Sequence, residues 1–127
     1  MKIILSIFRP EKLPDVKKSL WENNIHMMTI LDVKGCGQQK GNIEEYRGIV
    51  EEVQLHRKVM LITAVNESYV EKTTKAIIKG ARTNNGEIGD GKILVLPVDD
   101  CIRIRTGEKG LAAIGGESDE LDSLQKK

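Results

Sequence analysis

Apolar positions change period along this chain, and the changes mark its elements. Ile3 to Phe8 is a short apolar run rich in β-branched residues. It predicts a buried strand closed by Arg9-Pro10. Leu13, Val16 and Leu20 then recur at helical spacing. Pro14 fits the first turn of that helix, where its missing N–H would go unpaired anyway, and Asn23-Asn24 stops it. Met27 to Val33 reads as a second strand and Val59 to Val65 as a third. Ser68-Tyr69-Val70-Glu71 has the spacing of a capping box. Val70, Thr74, Ile77, Ile78 and Ala81 continue on one helical face until Asn84-Asn85-Gly86 breaks it. Lys92 to Val98 predicts a fourth strand, and Cys101 to Arg105 a short fifth. The order β-α-β-loop-β-α-β-β predicts an α+β fold, a ferredoxin-like βαββαβ sandwich. That architecture hosts many functions and by itself proves none.

Two stretches have no period. Gly35-Cys36-Gly37-Gln38-Gln39-Lys40-Gly41 is glycine-rich, and Asn42 to Arg57 is mixed and mostly charged. A long excursion in so small a domain is usually functional or disordered. From Gly115 the chain turns polar and acidic, which predicts a solvated tail over 115–127. The 127 residues suit one domain, here 1–114 with the loop at about 36–57.

Composition narrows the function. Twenty basic and nineteen acidic residues give a net charge of +1, not the basic excess of a general nucleic-acid binder. Cys36 and Cys101 are too few for a disulfide framework, and two reduced thiols suit a cytoplasmic protein. The chain enters a strand pattern at once, without a signal peptide, and no apolar run reaches the roughly 18 residues of a membrane helix.

Three segments carry candidate chemistry. Glycines at 35, 37 and 41 let backbone N–H groups approach an anion, with Lys40 beside them. Ile88-Gly89-Asp90-Gly91-Lys92 could cradle phosphates with backbone amides and Lys92. On a fifth strand, Arg103 and Arg105 would share one face, where guanidiniums fork onto phosphate oxygens. No acid, base or nucleophile set accompanies them. His26 beside Met27 and Met28 reads as structural, and His56 has no evident partner. Binding motifs without a catalytic set point to a ligand sensor rather than an enzyme.

Taken together these stretches resemble the PII signal-transduction proteins of nitrogen metabolism, over Met1 to about Ile114. The resemblance is carried by Arg9-Pro10-Glu11-Lys12-Leu13, Met28-Thr29, Gly35-x-Gly37-x-Gln39-Lys40-Gly41, Glu45-Tyr46-Arg47-Gly48, Lys58-Val59, Ala81-Arg82-Thr83, Ile88 to Ile93 and Ile102 to Glu108. It implies a homotrimer with ATP or ADP in the clefts between subunits, 2-oxoglutarate beside MgATP, and a long T-loop that docks on targets. It implies nucleotide contacts from Thr29, Gly37, Gln38, Gln39, Ala64, Ile88, Gly89, Asp90, Gly91, Lys92, Arg103 and Arg105, with Arg105 reaching across the subunit boundary. Gln39 would bind Mg2+, and Gln39, Lys40, Gly41 and Lys58 would hold 2-oxoglutarate. Tyr46, Arg47 and Gly48 would dock on a partner: an ammonium transporter, nitrogenase or glutamine synthetase. Nucleic acid is not expected, and a membrane only through a transporter.

The departures are specific. Glu51 stands where uridylylated relatives carry tyrosine, and Ile49 where others carry a phosphorylated serine. Arg57 replaces a proline, and Asn84-Asn85 lengthens the loop before Ile88. These changes suggest a divergent paralogue, of the nitrogenase-associated kind. Competing readings are a slow ATPase acting as a timer, with Gln39 placing water, and an RNA-binding module. The last ranks lowest because no strand is rich in aromatics for base stacking.

Overall fold

A computed structural model describes residues 1–36 and 55–114. Strand β1 spans Lys2–Phe8 and helix α1 Leu13–Glu22, with a 3-10 turn at Pro10–Lys12 between them. Strands β2 (Thr29–Gly35) and β3 (His56–Val65) follow, then a 3-10 turn at Glu67–Tyr69, helix α2 (Val70–Ala81), β4 (Gly91–Pro97) and the short α3 (Leu111–Ile114). The four strands form one antiparallel sheet in the order β2-β3-β1-β4. This is the expected βαββαβ arrangement.

Strand alternation gives the sheet two unlike faces. Ile4, Ser6 and Phe8 on β1, with Val59, Leu61, Thr63 and Val65 on β3, point to the helices and are buried. Val16 and Leu20 of α1 and Ala76, Ile77 and Ala81 of α2 close over them. The helices cross closely at Gly80, where an added Cβ would come within 2.6 Å of the Val16 Cα. On the other face lie Ile3, Leu5, Ile7, Met60, Ile62, Leu31, Leu94 and Leu96, away from α1 and α2, with Ile114 of α3 meeting Ile3 and Ile62 at one end. Leu31, Leu94 and Leu96 there are 41 to 46% exposed.

Three expectations need correction. β2 starts at Thr29 rather than Met27 and runs on to Gly35, which pairs with His56. His56 and Arg57, expected in the loop, therefore belong to β3. A 3-10 turn leads into α2, and the Asn66 side chain caps that turn by accepting the Glu67 N–H at 2.8 Å. Cys101 to Arg105 is not a strand. A single bridge joins Ile102 to Lys109, and the segment between is a turn. Gly107 and Gly110 there take φ of +75° and +70°, which extended backbone excludes.

Candidate functional site

The loop from Arg82 to Gly91 is built around one carboxylate. Asp90 Oδ2 accepts the N–H of Thr83 at 3.0 Å and of Glu87 at 2.9 Å. Asp90 Oδ1 faces Arg9 Nε at 3.4 Å. Burial alone would push the Asp90 carboxyl up, but these N–H groups and the guanidinium outweigh it. They hold its pKa at about 2, below the ordinary 3.8. Asp90 thus shapes the loop from inside. Gly91 is required by its φ of +114°, where an added Cβ would strike the Ile7 carbonyl oxygen of β1.

Two cations reach the loop from neighbouring strands. Arg9 Nη2 donates to the Ile88 carbonyl at 2.9 Å, and Lys58 Nζ donates to the Gly89 carbonyl at 3.0 Å. Burial, then the charge of Arg9, lowers the Lys58 pKa, while Glu11 and Asp90 oppose the shift. Lys92 opens β4 beside this loop and is exposed. The structure therefore gathers Ile88, Gly89, Asp90, Gly91, Lys92 and Lys58 at one end of the sheet. Arg9 belongs with them. The sequence singled it out only as part of a matching stretch, and its place as the first residue after β1 was the available signal.

Thr29 and Ala64 lie at the other end. Both line a hollow of 390 Å³ with Ile3, His26, Met27, Met28, Ile62, Thr63 and Ile114. The Thr63 hydroxyl donates to the Met27 carbonyl at 2.7 Å and fixes the entry to β2. The Cys101–Lys109 turn belongs to this end too. Val98 N–H bonds to the Met1 carbonyl, and Arg103 Nη2 donates to the Ala112 carbonyl at 2.7 Å, next to Ile114 of the hollow. Arg103 Nη1 pairs with Glu108 at 2.9 Å. Arg103 and Arg105 therefore do not share a strand face as expected. Arg105 is exposed, and Ile104 between them is 100% exposed.

Lys92 and the Arg103–Arg105 turn are separated by β4. Its seven residues span roughly 20 Å at about 3.3 Å each. Among the described residues no hydrogen bond or ion pair joins the two ends. Gly37, Gln38, Gln39, Lys40 and Gly41, and likewise Tyr46, Arg47, Gly48, Ile49, Glu51 and the 115–127 tail, lie outside the described residues. Among those described, no helix is long and apolar enough to cross a membrane, and no three His, Cys, Asp or Glu side chains form a metal cluster.

The sequence matches the family described as Nitrogen regulatory protein P-II over residues 1–108. The chain belongs to the P-II family. A nitrogen regulatory protein P-II of Methanothermobacter thermautotrophicus is 51% identical over 114 residues, 90% of this chain and 97% of that one. The P-II protein of Azospirillum brasilense is 46% identical over 114 residues, 90% of this chain and all of that one. Among solved structures, Arabidopsis thaliana PII bound to citrate aligns with a TM-score of 0.72 at 37% identity, covering 89% of this chain and 88% of that one. The P-II relatives are named as regulators. Their names match the nitrogen regulation that the family resemblance implied.

Proposed function

We propose that this P-II protein is a cytoplasmic regulator that binds ATP or ADP between the subunits of a homotrimer and controls a target through its T-loop. The observation that carries the reading is the split of the candidate residues. One half-site holds Ile88 to Lys92 and Lys58; the other holds Thr29, Ala64, Arg103 and Arg105. One chain keeps them a strand length apart, which supports a ligand held between two chains. A head-to-tail contact that closes into a ring brings unlike halves together in this way. The apolar, uncovered sheet face and the exposed Ile88 and Ile104 beside the two halves favour such an assembly.

The chemistry of the halves suits an adenine nucleotide. The hollow at Thr29 and Ala64 is largely apolar and takes the base; Lys92, Arg103 and Arg105 offer cations to phosphate oxygens. The residues proposed for Mg2+ and 2-oxoglutarate are Gln39 for the metal, and Gln39, Lys40, Gly41 and Lys58 for the acid. Of these, Lys58 is the described one, and its amine sits at the loop rather than in an ion pair. The Arabidopsis relative is bound to citrate, which supports a small-polycarboxylate site in this fold. Metal bridging would make acid binding depend on MgATP, and such coupling is reciprocal. Tyr46, Arg47 and Gly48 are proposed to dock on the target, with an ammonium transporter, nitrogenase and glutamine synthetase as candidates.

Calorimetry on the full chain tests the reading. ADP and MgATP are expected to bind without turnover, and 2-oxoglutarate only when MgATP is present. No heat from either nucleotide at millimolar concentration contradicts the nucleotide site. Hydrolysis faster than nucleotide exchange would favour the timer ATPase instead.

A further inference from the structure

We infer that Arg9 is a positioning residue that turns the Ile88–Gly91 loop into an anion-receiving surface. The inference rests on the reading of that loop as part of a nucleotide site. Three carbonyls of the loop are held in succession. Glu87 O accepts the Asp90 N–H at 3.1 Å, Ile88 O accepts from Arg9 Nη2 at 2.9 Å, and Gly89 O accepts from Lys58 Nζ at 3.0 Å. A trans peptide is planar, with its N–H opposite its C=O. Fixing the Glu87 and Ile88 carbonyls therefore aims the N–H groups of Ile88 and Gly89 the other way. Among the described residues neither N–H has an acceptor. Gly89 takes a φ of +98°, so the two donors sit beside a left-handed residue. Consecutive free N–H groups in such a turn form a concave anion cradle.

Arg9 makes the arrangement specific through its shape. Nη2 holds the Ile88 carbonyl while Nε faces Asp90 Oδ1 at 3.4 Å, and Asp90 holds the N–H groups of Thr83 and Glu87. A planar guanidinium spans both acceptors; an ammonium at the same place is a point charge that serves one. Arg9 donates to the back of the loop, so it acts through the backbone and not by touching the ligand. A preorganised cradle avoids the ordering cost that a loose loop would add to binding.

The test compares wild type, Arg9→Lys and Arg9→Met in the full chain. ADP affinity is read by calorimetry, adenosine affinity by NMR titration, and the Gly89 amide by its NMR shift. The expected result is an ADP affinity lower by about tenfold or more in both variants, with adenosine affinity unchanged. The Gly89 amide shift is expected to move in both free variants. ADP binding in Arg9→Met within about twofold of wild type overturns the inference while leaving the nucleotide site standing. Full recovery in Arg9→Lys also overturns it, because charge alone would then suffice. Equal loss of adenosine and ADP reduces Arg9 to a general structural role and overturns it as well. Failure of the wild-type chain to bind ADP removes the nucleotide reading itself, and the inference with it.

Discussion

The two faces of the sheet are built from similar residues and end in opposite states. Toward the helices, Ile4, Phe8, Val59 and Leu61 are at most 2% exposed. On the far face, Leu94 and Leu96 keep 46% and 41% of their surface. The first face is sealed by its own chain, since α1 and α2 carry apolar stripes that match it. Among the described residues the second meets only Ile114 of α3 at one end, yet its residues are aliphatic rather than polar. An antiparallel sheet left to solvent on one side normally alternates apolar with polar. The lesson is that one face specifies the fold of the chain, and the other carries apolar surface that the proposed assembly would bury.

That contrast can be broken experimentally, beginning with its strongest side. Phe8→Ala empties the centre of the sealed face and is expected to cost about 3–5 kcal/mol, read from the denaturant midpoint. A loss below about 1 kcal/mol would mean that this face is not the one that specifies the fold. Leu94→Glu acts on the other face. Its expected effect is on association: light scattering should find the variant as single chains where wild type assembles, with helix content by circular dichroism unchanged. Assembly equal to wild type would show that the uncovered face is not a subunit contact.

The smallest effect belongs to Asp90, at the rim between the faces. Its folded pKa of about 2 lies below the ordinary 3.8. The stabilisation is therefore complete above about 3.8 and fades as pH falls toward 2, as protons reach the folded carboxylate. Asp90→Asn is expected to be less stable than wild type at neutral pH, with the gap closing through that acid window. A gap independent of pH would separate Asp90 from the loop's N–H groups.

Much of this was legible from residue patterns. The β1 alternation, the Pro14 and Asn23-Asn24 boundaries of α1 and the α2 stripe predict elements that the structure contains. The turn at 88–91 was also readable, because glycine and aspartate favour a turn between a helix and a strand. The errors share a cause. Arg103-Ile104-Arg105 alternates like a strand, but Gly107 and Gly110 fold the segment into a turn, a tertiary choice that a five-residue window does not carry. Arg9 went unnoticed as a site residue because its partners lie about eighty positions away, and single-chain periodicity holds no information on such pairs. The same holds for the two groups of candidate residues: spacing along the chain does not show that β4 separates them.

The most direct test of the central claim is subunit mixing. Lys92 and Arg105 are both exposed side chains on opposite half-sites. Lys92→Ala and Arg105→Ala should each abolish or strongly weaken ADP binding when assembled alone. Unfolding and reassembling the two variants together in equal amounts should restore tight binding at about a quarter of the sites, those where a wild-type Lys92 half meets a wild-type Arg105 half. Recovery of that fraction is the result the account predicts. No recovery in mixed assemblies would contradict it, placing both residues on one chain's site.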